Sequence, residues 1–321
     1  MSDKFKLQLL LLIFFVAAIT GCTREPQSPL RIGINPWTGY EPLFLAREMG
    51  YFNNSPIKLI EHTSASESMR LFRNGAIDSA ALTLDETLQL LSTGSDFTVV
   101  LVIDISHGGD AMLARPEINS IRELKNKRVG YESTALGAYM LTRALQTAGM
   151  KHSDVKTVPL ELSEIESRYI DGRVDAVITF EPIKTRLLAA GAKVIFDSSQ
   201  IPGEVMDVLV IRNAYAKKNP EVVRGVVAGW FKAIEYLRNN KNNAAEMLAK
   251  RQKISTEQYL ASQSGLRYPD IIENRTMLTG DSPALLPAAQ RLSAFMFENR
   301  LITQTPDIGP ILNGSYLKDM K

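Results

Sequence analysis

The sequence predicts an α/β fold made of two similar lobes. Three observations lead there. From Leu30 onward, short apolar runs alternate with helical patterns, the order expected of mostly parallel sheets covered by helices on both faces. A helix–glycine–strand signature occurs twice, as Arg70-Leu71-Phe72-Arg73-Asn74-Gly75-Ala76-Ile77-Asp78 and as Ser167-Arg168-Tyr169-Ile170-Asp171-Gly172-Arg173-Val174-Asp175, with the glycines 97 residues apart. That spacing is too long for a solenoid and suits two related lobes, although glycine at a helix end and aspartate at a strand start are also ordinary loop chemistry. Finally, 321 residues exceed what one small domain needs.

Taken in order, Leu30–Asn35 reads as a strand, and Glu41–Met49 as a helix ended by Gly50. Ile57–His62 is the next strand. Ser64-x-x-Glu67 is a capping-box pattern opening a helix that stops at Gly75. Ile77–Leu82 is a strand, Asp85–Leu91 a helix and Thr98–Ile105 a strand. Alternation resumes with strand Arg128–Glu132, helix Ala135–Ala148, strand Val155–Leu160, helix Ser163–Ile170, strand Val174–Phe180 and helix Ile183–Ala190. Val194–Phe196 and Val205–Ile211 are further strands. After Ala214 the chain is nearly all helical, over Pro220–Asn239, Asn243–Lys250, Thr256–Ser264 and Ala284–Arg300. Trp230, spaced with Val223, Val227 and Ile234, belongs to a core.

Composition narrows the function. With 37 basic and 35 acidic residues and a formal charge of +2, there is no electrostatic case for nucleic-acid binding. One cysteine excludes an internal disulfide or a Cys-rich cluster. The histidines His62, His107 and His152 are far apart, without HExxH spacing, so neither a metal nor a cofactor is expected.

The single cysteine follows an apolar run. Lys4 and Lys6 precede Leu7–Ile19, which is broken only by Gln8, and Ile19-Thr20-Gly21-Cys22 comes next. These are the parts of a secretory signal peptide, and the run is shorter than the roughly 20 residues needed to span a bilayer. Ile-Thr-Gly-Cys resembles the bacterial lipobox, in which cleavage precedes the cysteine and its thiol is acylated; the alternative is a plain signal peptide with an incidental cysteine after it. On the lipobox reading residues 1–21 are removed, Cys22 carries the lipid and residues 22–29, with Pro26 and Pro29, form a tether. Thr23 fits outer-membrane sorting in a Gram-negative host.

Ligands of open parallel sheets bind beyond the carboxyl ends of strands, opposite helix N-termini. After the first strand, Asn35-Pro36-Trp37-Thr38-Gly39-Tyr40 offers two aromatics; Trp37 and Tyr40 are candidates to wall a ligand, or else a core plug and a loop staple. After the second strand Ser64 suits a helix cap, while Ser66 lies in the first turn with its N–H free. After the third, Thr83 is placed to face a cleft and Asp85 to cap. Ser133 and Thr134 open a helix in the second half, as an anion or carbonyl site or as simple caps. Glu181, before Pro182, is placed to pair with a ligand ammonium or to complement its own helix. Asp207, at the start of a returning strand, is a second candidate acid.

The run Gly33-Ile34-Asn35-Pro36-Trp37-Thr38-Gly39-Tyr40-Glu41-Pro42 continuing to Phe52 resembles the opening of nitrate/sulfonate/taurine-type substrate-binding proteins of ABC importers. Similarity continues through Gly75–Asp78, Asn119–Ser133, Val177–Pro182 with its Phe-Glu-Pro, Asp207–Arg212 and Asn219–Val223, and so covers nearly all of residues 30–302. The resemblance implies a type II periplasmic-binding-protein fold, with lobe one at 30–112 and 208–321, lobe two at 113–207, and crossings near Ala111–Arg115 and Val205–Ile211. It implies closure of a cleft on a small solute, and ligand contacts at Trp37, Tyr40, Ser66, Thr83, Ser133, Thr134 and Glu181. It also implies a monomer at the periplasmic face of the cell envelope, partnered by a permease. An acid in the cleft disfavours nitrate and points to a larger organic ligand, an aminosulfonate or a pyrimidine-like amine. Two alternatives remain: a sensory binding protein serving a membrane kinase or cyclase, and a biosynthetic enzyme on the same fold.

Overall fold

The structure is a computed structural model that describes residues 28–52, 55–132, 135–318 and 320. The expected signal segment, Cys22 and most of the tether lie outside the described residues, as do Ser133 and Thr134.

The first sheet is laid down by β1 (Leu30–Ile34), α1 (Glu41–Glu48), β2 (Ile57–Glu61), α2 (Ala65–Arg73), β3 (Ser79–Thr83), α3 (Leu84–Ser92) and β4 (Phe97–Ser106). The chain then crosses through 107–109 and builds a second sheet. This comprises β5 (Asp110–Ala114), β6 (Arg128–Glu132), α4 (Ala135–Thr147), β7 (Lys156–Leu160), α5 (Leu162–Ile170), β8 (Ala176–Phe180), α6 (Ile183–Ala189) and β9 (Lys193–Asp197). It returns through 198–205 to β10 (Met206–Arg212). There follow α7 (Asn213–Lys218), α8 (Pro220–Asn239), α9 (Lys241–Gln252), α10 (Thr256–Ser262), β11 (Leu266–Arg267), α11 (Ile271–Leu278) and α12 (Leu285–Glu298).

The strand orders are β11-β4-β10-β3-β1-β2 and β7-β6-β8-β5-β9. In the first, β1 runs parallel to β2 and β3, while β10 is antiparallel to β3 and β4. In the second, β6 runs parallel to β7 and β8, while β5 is antiparallel to β8 and β9. Each sheet thus has three parallel strands beside one antiparallel strand that arrives from the other sheet. β3 and β4 are buried along their whole length, their few polar residues included, as interior strands are when helices cover both faces. Trp230 is fully buried on α8.

The sequence echo is a physical repeat. Arg31 on β1 clasps Asp78, with Nε to Oδ2 at 2.7 Å and Nη2 to Oδ1 at 2.8 Å, and it also donates to the Gly75 carbonyl. Arg128 on β6 clasps Asp175 with the same pair of bonds, at 3.1 and 2.8 Å, and donates to the Gly172 carbonyl. The two arginines are also 97 residues apart. Gly75 and Gly172 sit at φ +73° and +71°, left-handed conformations that end α2 and α5 and that a side chain would strain.

Local caps differ in detail from the sequence pattern. At α2, Ser64 accepts from the Glu67 N–H, but the Glu67 carboxylate reaches Thr63 rather than Ser64. At α3 the cap is Thr83, in a reciprocal box with Glu86, and Asp85 lies inside the first turn. β3 stays extended through Thr83, which moves the helix start forward.

Candidate functional site: an acidic cleft between the lobes

The carboxyl ends of β1, β3, β6 and β8 face one another, and the side chains at those ends enclose a cavity. It is a slot with about 510 Å³ of atom-free space.

From the first lobe, the loop after β1 brings Trp37 and Tyr40 onto the wall. The Trp37 indole N–H donates to Asp104 Oδ2 at 3.0 Å, and its ring meets Phe180 edge-on with centroids 5.7 Å apart. Phe180 ends β8, so this contact spans the cleft. The Tyr40 hydroxyl donates to Asp207. The loop approaches β4 closely: a Cβ at Gly39 would fall 2.0 Å from Asp104 Oδ2, so only glycine fits. Strand register sets the neighbouring acids in a row, because Asp207 on β10 pairs with Thr83 on β3 and with Asp104 on β4.

From the second lobe come Asp110 at the start of β5, paired in register with Phe180, and Glu132 at the end of β6. The Ser66 hydroxyl donates to Glu132 Oε1 at 3.3 Å, and the Ser66 backbone N–H also bonds this carboxylate. Ser66 is in the first turn of α2. The Glu132 carboxylate therefore occupies the anion position at a helix N-terminus of the opposite lobe.

Among the described residues the cavity lining holds four buried carboxyls, Glu86, Asp110, Glu132 and Asp207, and no Lys, Arg or His. Asp85 and Asp104 are buried behind them. Burial pushes the Asp110 carboxyl up to about 7, against the pull of Ser106 and Lys184. It pushes Glu132 up to about 7 as well, with Ser66 opposing. Glu86 and Asp207 are held well above the usual carboxylate range, first by burial and then by the charges of Asp85 and Asp104 respectively. Among the described residues no group of three or more His, Cys, Asp or Glu is placed to hold a metal ion. Two buried polar atoms on the lining, Asn35 Oδ1 and Thr179 Oγ1, have no hydrogen-bond partner among the described residues.

Of the residues picked from sequence, Trp37, Tyr40, Thr83 and Asp207 come together on this cavity. Ser66 is at its edge, and its N–H is engaged by Glu132 rather than free. Glu181 is buried but is not part of the lining: it accepts from the Thr185 N–H at 3.1 Å and lies 3.4 Å from Lys184 Nζ, the local role at its own helix. Ser133 and Thr134 follow Glu132 but lie outside the described residues. Sequence reasoning missed Glu86, Asp110 and Glu132, and with them Phe180 and Thr179. The available signal was an acid inside or at the edge of an apolar strand, as in Val102-Ile103-Asp104-Ile105, where a carboxylate is costly without a purpose.

The geometry suits binding: aromatic edges, a slot walled by both lobes and an excess of acceptors. No histidine or cysteine lines the cavity among the described residues.

Comparison with known proteins agrees on the architecture. The chain matches the NMT1-like family over residues 23–251. A protein of Escherichia coli K12 named for binding aliphatic sulfonates is 23% identical over 260 residues, covering 80% of this chain and 79% of that one. The alkanesulfonate-binding protein SsuA of Xanthomonas axonopodis pv. citri, solved with MOPS, superposes with a TM-score of 0.76 at 16% identity, over 90% of this chain and 99% of that one. The desulfurization enzyme DSZB superposes at 0.66 with 15% identity, over 90% and 98% of the two chains. At such identities the solved structures establish the fold, a two-lobe type II periplasmic-binding-protein architecture, and no more.

Proposed function

Because this chain belongs to the NMT1-like family, we propose that it is the solute-binding component of an ABC importer. On this reading it is held to the envelope by a lipid on Cys22, captures a small organic solute between its lobes and presents the closed form to a permease. The observation that carries the reading is that both lobes line one cavity and both contribute to its closure, through Trp37 against Phe180 and Ser66 against Glu132. A solute touching both walls stabilises the closed form by its differential affinity for that form.

The hinge is the pair of crossing segments, 107–109 and 198–205, a few residues before the junctions at 112/113 and 207/208 that the sequence resemblance implies. They are tied together by Ser198, whose Oγ lies 2.8 Å from Ser106 Oγ and accepts from the Gly108 N–H at 2.7 Å. Lys184 donates to the Gly108 carbonyl at 2.8 Å. Short segments of this kind absorb a rigid-body rotation of one lobe against the other.

The names of its relatives refer to sulfonates, and the sequence points to an aminosulfonate or a pyrimidine-like amine. The test is a panel of taurine, alkanesulfonates, aminopyrimidines and nitrate, read by thermal unfolding and by solution scattering. A captured solute stabilises the folded chain by mass action, by about 2.7 kcal/mol at a hundred times its Kd, and so raises the midpoint. It also holds the radius of gyration at the closed value. Tight binding of nitrate alone overturns the organic-solute reading, and no response to any member overturns capture altogether. Stimulation of a permease-bound ATPase, against stimulation of a membrane kinase or cyclase, separates import from sensing.

A further inference from the structure

Resting on the solute-binding reading, we infer that the cleft selects a small organic cation bearing N–H donors, a protonated amine or an amidinium, and rejects sulfonates. Three independent features of the walls carry this.

The first is charge. Glu86 and Asp207 face the cavity from one lobe and Asp110 and Glu132 from the other, with no Lys, Arg or His lining it among the described residues. A cation entering between them draws these buried carboxyls into their ionised form and is met by opposite charge, whereas an anion finds no base to pair with and meets like charge wherever one of them has ionised.

The second is that two first-lobe helix N-termini near the cavity, natural seats for a sulfonate, are already filled by carboxylates. The Glu86 carboxylate accepts from the Thr83 N–H at the head of α3. The Glu132 carboxylate accepts from Ser66 at the head of α2. A sulfonate would have to displace one of these groups while the remaining acids stayed in place.

The third is the unsatisfied chemistry of the slot. Asn35 Oδ1, on a residue 6% exposed, and Thr179 Oγ1, on a residue 1% exposed, line the cavity without partners among the described residues. An amide oxygen and ionised carboxylates accept but do not donate, and the Thr179 hydroxyl is free to turn and accept, so the complementary ligand supplies N–H groups. This favours an amine or amidinium over a quaternary ammonium. Trp37, Tyr40 and Phe180 present ring surface beside these acceptors, where a desolvated cation gains further attraction.

The experiment is calorimetry on the mature chain at pH 8 with matched probes: benzamidine against benzenesulfonate, butylamine against butanesulfonate, and taurine, which carries both charges. The expected result is binding of the cations at least a hundredfold tighter than of their sulfonate counterparts. Asp207→Asn and Glu132→Gln should each weaken the cations at least tenfold. Circular dichroism checks that each variant folds, and Glu132→Gln alone decides the matter where Asp207→Asn does not fold. A sulfonate or taurine binding more tightly than the amine or amidinium overturns the inference and leaves solute capture standing. Cation binding unchanged in Glu132→Gln also overturns it. Silence from every probe, together with silence from nitrate and the aminopyrimidines, overturns capture itself.

Discussion

Glu132→Gln should stabilise the ligand-free protein, and only above the acid range. The Glu132 carboxyl is raised from an ordinary 4.5 to about 7, because it is buried and faces the like charge of Glu161, with only Ser66 to offset this. Between pH 4.5 and 7 the folded chain keeps a proton that the unfolded chain releases, so stability falls as pH climbs through that window. Each tenfold change in proton affinity is worth about 1.4 kcal/mol, so the full cost above the window is about 3 kcal/mol. A glutamine keeps the shape and accepts the same Ser66 bonds, but it never ionises. The variant should therefore gain about 3 kcal/mol at pH 8 and under about 1 kcal/mol at pH 5. With a urea slope of about 3 kcal/mol per molar, the midpoint at pH 8 moves up by about 1 M. Paired urea titrations at the two pH values check this. A variant that is destabilised at pH 8, or that differs from the parent by the same amount at both, refutes the reasoning. Paired with the weaker cation binding argued above, the expected gain makes Glu132 a group kept for function at a cost to stability.

Other substitutions test the remaining contacts. Trp37→Phe keeps the aromatic edge on Phe180 but strips Asp104 of its donor at 3.0 Å; a loss of about 1.5–3 kcal/mol is expected at pH 8 by urea unfolding, shrinking at pH 5, because burial pushes the Asp104 carboxyl up to about 7 and keeps it protonated there. Asp78→Ala and Asp175→Ala each remove a two-point arginine clasp and the acceptor for that arginine's own N–H. Matching losses of about 1–3 kcal/mol follow from the repeat, and one neutral variant against one costly variant in thermal unfolding argues against equivalent roles. Arg251→Met retains apolar cover over the Phe44 ring, which the guanidinium overlies at 3.4 Å, but leaves the buried Glu41 unpaired. A cost of about 2–4 kcal/mol is expected, and a neutral result would show that Glu41 simply takes up a proton.

Much of the fold was legible because its signals are local. The alternation of runs and helical patterns places nearly every strand of the two parallel trios within a residue or two of where it forms. The Gly75/Gly172 echo holds because a left-handed helix end and a strand-opening aspartate are short-range demands. β11, α7 and α11 are absent from the sequence pattern, and β5 enters it only as the crossing near Ala111–Arg115 that the family resemblance implies. β11 is two residues long and exists only by pairing with β4, and β5 is defined by its partners β8 and β9. The cap of α3 was placed on Asp85 instead of Thr83 because either residue type caps, and only the reach of β3 decides between them.

The site divides along the same line. The sequence by itself determined the two-lobe α/β plan, the aromatic loop of Trp37 and Tyr40, and the positions of Thr83 and Asp207 at strand ends, since strand polarity dictates which residues face a cleft. It could not show that Glu86, Asp110, Glu132 and Asp207 share one slot that no Lys, Arg or His lines among the described residues, because they come from four strand or helix ends separated by up to 121 residues. Nor could it show that Glu132 of one lobe fills the helix terminus at Ser66 of the other. Sheet register and lobe apposition bring these groups together, and the electrostatics of a buried cleft depend on that proximity rather than on any single residue's identity.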